Sequence, residues 1–220
     1  MKNNNTVELI GYYGSDELIA CSAWTSTSRK LTEEKRARIP KLLHDLAGNG
    51  HETPFEKGVL HFLLNTDVAS HIHICKHRIS SLNAESARYK ELKEDKYYIP
   101  QEFYDTPISE KYGLDWYKTW ADALIDKSEE LNFLYHGAIE DLEKKWGRKR
   151  AKEIARYFKM YNSQIEADLM LNFRSFVNFQ RLRNSEHAQK EIMLIADEML
   201  TLVKNIEGNP FEHTIAAFKL

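Results

Sequence analysis

Two polar segments, far apart in the chain, carry the residues best suited to chemistry. The first is Lys76-His77-Arg78-Ile79-Ser80-Ser81-Leu82-Asn83-Ala84-Glu85-Ser86-Ala87-Arg88-Tyr89, too polar to be core. Arginine offers a bidentate fork and serine a donor that also accepts, so such a set can hold phosphate oxygens and hydrogen-bond a heterocycle. The second runs from Asn172 to Gln189. As a helix it places Arg174, Asn178 and Arg181 on one polar face, with Phe176, Phe179 and Leu182 pointing elsewhere. On composition alone each segment is more simply solvated surface, a loop after a helix in one case and an amphipathic helix in the other. Ser86 has no histidine and carboxylate relay beside it, so it reads as a substrate donor rather than a nucleophile. Cys75, next to Lys76, is a candidate reactive thiol, but its place on the apolar side of a short helix reads as packing. His73 and His77 could share a helix face as metal ligands, yet no carboxylate stands at a clear third-ligand spacing, and no metal site is expected.

These segments need elements to position them. Residues 7–13 (VELIGYY) and 58–64 (GVLHFLL) are rich in β-branched and aromatic residues and read as strands. Between them a helix is expected from Thr32 to Ala47, stopped at Gly48-Asn49-Gly50, with a loop over His51–Glu56. Thr66 or Asp67 can cap a short helix through Val68, Ala69, Ile72 and Cys75, which delivers Lys76-His77-Arg78 at its C-terminal end. Lys90–Tyr98, followed by Pro100 and Pro107, is expected to be a surface loop. The apolar positions from Leu114 to Trp146 fit one long amphipathic helix or two with a break, with Trp116 and Trp120 in the core rather than stacking on bases. Another helix is expected from about Ser185 to Ile206, on the face Ala188, Ile192, Ile195, Met199 and Val203, and Gly208-Asn209-Pro210 stops it.

The chain has 220 residues, a length that suits one domain. Its net charge of −2 provides no global field for nucleic acid or anionic membrane, so any phosphate must be held locally. No apolar run is long enough to span a bilayer and the N-terminus lacks a signal core, so a cytoplasmic location is expected. Cys21 and Cys75 read as reduced thiols.

Taken together, the segments resemble the flavin-dependent thymidylate synthases. That family's signature is Arg-His-Arg, seven residues, then Ser, often continuing to Arg-Tyr; here Lys76-His77-Arg78 leads at the same spacing to Ser86 and Arg88-Tyr89. An upstream His-x-Thr-Pro-Phe-Glu element appears as His51–Glu56. The downstream Asn-x-Arg-Ser-x-x-Asn-Phe-x-x-Leu-Arg and His-Ala-Gln elements appear as Asn172–Gln189, and Ala155-Arg156, Asn162 and Glu166 align without a gap between them. The resemblance implies an α+β fold, one domain over residues 1–220 with a central sheet flanked by long amphipathic helices. It implies FAD-dependent methylation of dUMP to dTMP, with methylenetetrahydrofolate as carbon donor and NADPH as reductant, in a homotetramer whose sites are shared between subunits.

Carried over residue by residue, the resemblance implies FAD contacts at Ser26, Thr53, Glu56, Lys76, His77, Arg78, Ile79, Asn172, Arg174, Asn178, Leu182 and His187. It implies nucleotide contacts at His73, Ser86, Ala87, Arg88, Arg156 and Arg183, with Arg183 and Ser86 serving the chemistry, and places His51 and Tyr89 near the folate. Four positions depart from the pattern. Lys76 keeps the charge of the first motif arginine but loses its planar fork. Lys57 stands where histidine is common, His73 where glutamine is usual, and Ala84 where glutamate often sits, with Glu85 displaced by one place. The last two motivate an alternative, a related enzyme that hydroxymethylates dUMP or modifies dCMP. Loss of the first arginine motivates a second, a non-catalytic flavin- or nucleotide-binding protein.

Overall fold

Alternating side chains build a four-stranded sheet in the computed structural model, which describes Lys2 and residues 4–220. In chain order the strands and helices are β1 (Thr6–Tyr13), α1 (Asp16–Ala23), α2 (Glu33–Gly48), β2 (Val59–Asp67), α3 (Val68–Cys75), β3 (Ser81–Ala84), α4 (Gln101–Tyr104), α5 (Trp120–Ala155), β4 (Gln164–Asn172), α6 (Phe173–Arg183), α7 (Lys190–Lys204) and α8 (Glu212–Phe218). The strands hydrogen-bond in the order β1-β2-β4-β3. β2 and β4 run antiparallel: Phe173 N donates to Gly58 O at 2.8 Å near one end, and Val68 N to Ser163 O at 3.0 Å near the other. Helices with this antiparallel sheet make the α+β fold that the resemblance implies.

The chain divides into two compact units, one of Met1–Asn5, Asn65–Ile72 and Ala84–Ala167, the other of Thr6–Leu64, His73–Asn83 and Asp168–Leu220. In the second, Leu60, Phe62 and Leu64 of β2 and Leu169 and Leu171 of β4 are buried on one face, as period-two alternation requires. Phe62 stacks on Phe176 of α6, and Phe173 meets both Phe176 and Phe211, so an aromatic seam ties the sheet to α6 and the start of α8. α7 packs against β1, and α2 against α8. Thr32 caps α2 by accepting from Lys35 N, as the sequence predicts. Gly14 turns β1 into α1 at φ +101°, where an added Cβ would also lie 2.9 Å from Lys57 O.

In the first unit the buried positions of α5 are Ala121, Ser128, Asn132, Tyr135 and Ile139 before the break at Gly147, and Ala151 and Ala155 after it. Gly147 has φ 74°, which only glycine adopts freely, so the break falls just past Trp146 and the expected stretch is one helix from Trp120 onward. The stripe differs from the expected aromatic one. Trp116 precedes the helix and is 70% exposed, while Trp120 packs edge-on against Tyr112. Lys90–Tyr98 is irregular, as expected, but not wholly surface: Tyr97 and Ile99 are buried with Ala121. The Tyr97 hydroxyl donates to Glu129, and burial pushes its pKa up to about 12. α7 starts at Lys190 rather than Ser185, because Asn184 leaves helical geometry at ψ 59° and residues 185–189 form a turn.

Candidate active site

Asp67 caps α3 as expected, accepting from Ser70 N at 2.9 Å and from its hydroxyl at 2.8 Å. The buried side of α3 runs through Ser70 and Ile74 rather than Ile72 and Cys75. Cys75 is exposed, so the packing role expected of it does not hold: the cap makes Ser70 a buried position and turns the apolar spacing away from the core. Lys76-His77-Arg78 follows the helix end, where Lys76 N donates to His73 O and His77 N to Ile74 O.

His77 turns back onto α6. Its ring lies 4.7 Å from that of Phe179, and its Nε2 is 3.0 Å from Arg183 Nε. The arginine nitrogen can only donate, so His77 accepts at Nε2 and is neutral with its proton on Nδ1. Burial lowers the His77 pKa, and the charges of Arg183 and His73 push the same way. The structure thus joins an expected flavin residue, His77, to the expected catalytic arginine through a pair 106 positions apart. Arg183 is held by its Nε, which leaves the outer edge of its fork to face another acceptor.

Asn172 caps α6, accepting from Ser175 N at 2.8 Å. Within the first turn Arg174 donates to Glu52 at 3.1 Å and to Glu56 at 2.8 Å, and Arg181 lies 3.9 Å from Glu52. Glu56 and Arg174 are therefore brought together, with Glu52 and Arg181 as partners that the sequence reading did not assign. Two carboxylates flanking Thr53-Pro54-Phe55, opposite two arginines on one helix face, were the available signal. Asn178 and Leu182 are exposed on α6, as are Thr53, His51, Ser26, Lys76, Arg78, Ile79 and His187 elsewhere in this unit. A cleft of about 370 Å³ in the same unit is lined by Tyr13, Leu18, Ser22, Thr25, Arg29, Glu56, Lys57 and Val59, so Lys57 lines it beside Glu56.

The donor chemistry fits a flavin dinucleotide. Lys76, Arg78 and Arg174 are cations for a diphosphate, and the solvent-facing apolar side chains Ile79 and Leu182 are of the kind that covers an isoalloxazine ring. His73 Nδ1 is buried with no partner among the described residues, an atom that a bound group could satisfy.

In the first unit Ser86 forms a tight turn: Tyr89 N and Lys90 N donate to its carbonyl, and Arg88 N to its hydroxyl at 3.3 Å. Ala87 is half-buried in this turn, between Ser86 and the exposed Arg88. Arg88 Nε donates to Glu153 at 2.7 Å, and its guanidinium lies over the exposed Tyr89 ring. Arg156 is exposed just beyond the end of α5. Glu85, one place from the expected glutamate, is already committed: it accepts from Glu166 N at 3.0 Å and pairs with Lys90. It is therefore not a ready substitute for the acceptor lost at Ala84. Among the described residues no three His, Cys, Asp or Glu side chains converge as a metal site, and no helix is long and apolar enough to cross a membrane.

Known proteins resemble the chain over most of its length. Residues 8–207 match the family model described as thymidylate synthase complementing protein. The chain is 31% identical over 202 residues to the flavin-dependent thymidylate synthase of Pseudothermotoga lettingae, covering 91% of this chain and 85% of that one. It is 28% identical over 218 residues to the enzyme of the same name from Clostridium tetani, covering 94% and 86%. A solved structure of the UMP/dUMP methylase PolB from Streptomyces cacaoi, bound with 5-Br dUMP, matches with a TM-score of 0.74 at 24% identity, over 99% of this chain and 96% of that one. At that identity the likeness is one of fold.

Proposed function

The chain belongs to the flavin-dependent thymidylate synthase family, and from that premise we propose that it binds FAD and methylates dUMP to dTMP, using methylenetetrahydrofolate and NADPH. The observation that carries this reading is the pairing of neutral His77 with Arg183, which fixes a cation beside the Lys76–Arg78 triplet. FAD, when bound and reduced by NADPH, supplies the electrons and mediates the one-carbon transfer.

The chain's own residues bind, orient and hold charge. Arg183, oriented through its Nε by His77, stabilises the negative charge that grows on the uracil ring as its carbon becomes nucleophilic. Ser86 donates to the nucleotide, Arg88 and Arg156 meet its phosphate, and Ala87 and His73 complete its surroundings. Lys76, Arg78 and Arg174 hold the flavin diphosphate, and Arg174 exchanges a carboxylate partner for phosphate to do so. His51 and Tyr89 face the folate. The chain works as one catalytic domain in a homotetramer with shared sites, in the cytoplasm, with no nucleic-acid partner.

Purified protein is expected to be yellow with bound FAD, and Arg174→Ala to weaken FAD binding by about tenfold or more, the loss typical of one charge-assisted contact. A colourless native preparation that takes up no added FAD contradicts the reading.

A further inference from the structure

The loop that begins with Ser86, Arg88 and Tyr89 continues through Glu91 and Asp95, and both carboxylates close on one imidazole. His136 of α5 places Nδ1 2.7 Å from Glu91 Oε1, and Nε2 3.0 and 3.1 Å from the two oxygens of Asp95. A neutral imidazole has one donor nitrogen and one acceptor, and an ionised carboxylate can only accept. Carboxylates at both nitrogens therefore call for an imidazolium that donates twice.

The surrounding charges agree. Arg148 donates to the second oxygen of Glu91 at 2.6 Å and to Glu143, and Lys159 donates to Asp95 at 2.9 Å. Lys159 also meets Asn132 and lies over the Tyr135 ring, while the Tyr135 hydroxyl accepts from Leu92 N at 3.1 Å. The Gly147 break sets Arg148 at the start of the next helical segment, with its guanidinium on Glu91. Glu91 is 14% exposed and His136 27%, so these charge-assisted bonds are partly shielded from water. Asp95 sits at φ +49°, a conformation that the contacts on its side chain help to hold.

We propose that His136, held as an imidazolium between Glu91 and Asp95, is a positioning residue that fixes the loop presenting Ser86 and Arg88 to the nucleotide. The nucleotide part rests on the function proposed above; the fixing of the loop does not. His136 touches no reacting atom.

The test compares the FAD-loaded native protein with His136→Gln at pH 6.5, reading amide hydrogen exchange over residues 86–95, dUMP affinity by calorimetry, and KM and kcat. In the variant at pH 6.5 the loop is expected to exchange about tenfold faster and dUMP to bind about tenfold more weakly, with kcat at saturation held within about twofold. Superimposable loop exchange for the two proteins would overturn the proposal. If the native protein binds no dUMP while loop exchange still separates it from the variant, the substrate reading fails and the positioning of the loop stands. Should His136→Gln unfold, Glu91→Gln decides: loop exchange about tenfold faster than in the native protein supports the proposal, and unchanged loop exchange overturns it.

Discussion

Arg183→Ala should lower turnover by about two to three powers of ten, the range seen when one preorganised charge stabiliser is removed, while the protein stays folded. Arg183 closes the last turn of α6, whose hold on the sheet comes from Phe173, Phe176 and Phe179 and not from the arginine. The structural loss is its bond to a half-buried neutral histidine, about 1 kcal/mol by the usual worth of such a bond. The catalytic loss is expected to be larger because a preorganised charge acts on the charge that grows in the transition state. Arg183→Lys should fall between, since lysine keeps the charge but cannot offer one nitrogen to His77 and a fork to the substrate. Turnover at saturating substrate, read beside the melting temperature, checks this. A defect confined to KM would assign Arg183 to binding alone.

Asp16→Ala should destabilise the fold by about 3 kcal/mol, the cost of leaving buried donors unpaired. Asp16 opens α1 and also caps α8 from across the chain: it accepts from His213 N at 2.7 Å and from Thr214 N and Oγ1 at 3.0 and 2.6 Å. α8 has no side-chain cap of its own at Phe211. Burial pushes the Asp16 carboxyl above its ordinary range, while these donors pull it back. Alanine leaves the donors buried and empty. For a chain of this size the melting temperature should drop by about 6–12 °C. A drop under about 2 °C would mean that water replaces the carboxylate.

Elements with their own local stop signals were legible in the sequence. Thr32 and the glycines around Asn49 bounded α2 and Asp67 capped α3, whereas α7 ends at Lys204, before the expected stop at Gly208. α8 was not, because its start is capped by Asp16, about two hundred residues away. Trp116, Tyr97 and Ile99 misled in opposite directions, since Trp116 lies before α5 and outside its helical period, while the loop residues Tyr97 and Ile99 pack on Ala121. Cys75 misled because capping by Asp67 makes the polar Ser70 a buried position on α3.

At the site, residue types and spacing found the motif positions and the polar face of α6, but not their partners. Glu52 and Arg181 join Arg174 and Glu56 across more than a hundred positions. Likewise His136 meets Glu91 and Asp95 only because α5 returns along the loop. No periodicity links such residues, so only the folded chain shows them. The departures at His73 and Ala84 also look different once folded: Glu85 is bound to Glu166 and Lys90, which leaves His73, with its unpaired buried nitrogen, as the adaptable position.

The measurement that tests the central claim most directly is the mass of the product formed from dUMP, methylenetetrahydrofolate and NADPH by the FAD-loaded protein, with dCMP in a parallel reaction. Arg183 can stabilise the anionic character of an activated uracil, whereas the exocyclic amine of cytosine would bring a donor to a donor-rich site at a cost of about 1–3 kcal/mol. The account predicts dTMP from dUMP, absent when NADPH or the folate is withheld, with dCMP turned over at least about tenfold less efficiently. A dominant 5-hydroxymethyl-dUMP product, faster conversion of dCMP, or no turnover by folded, FAD-bearing protein would contradict it.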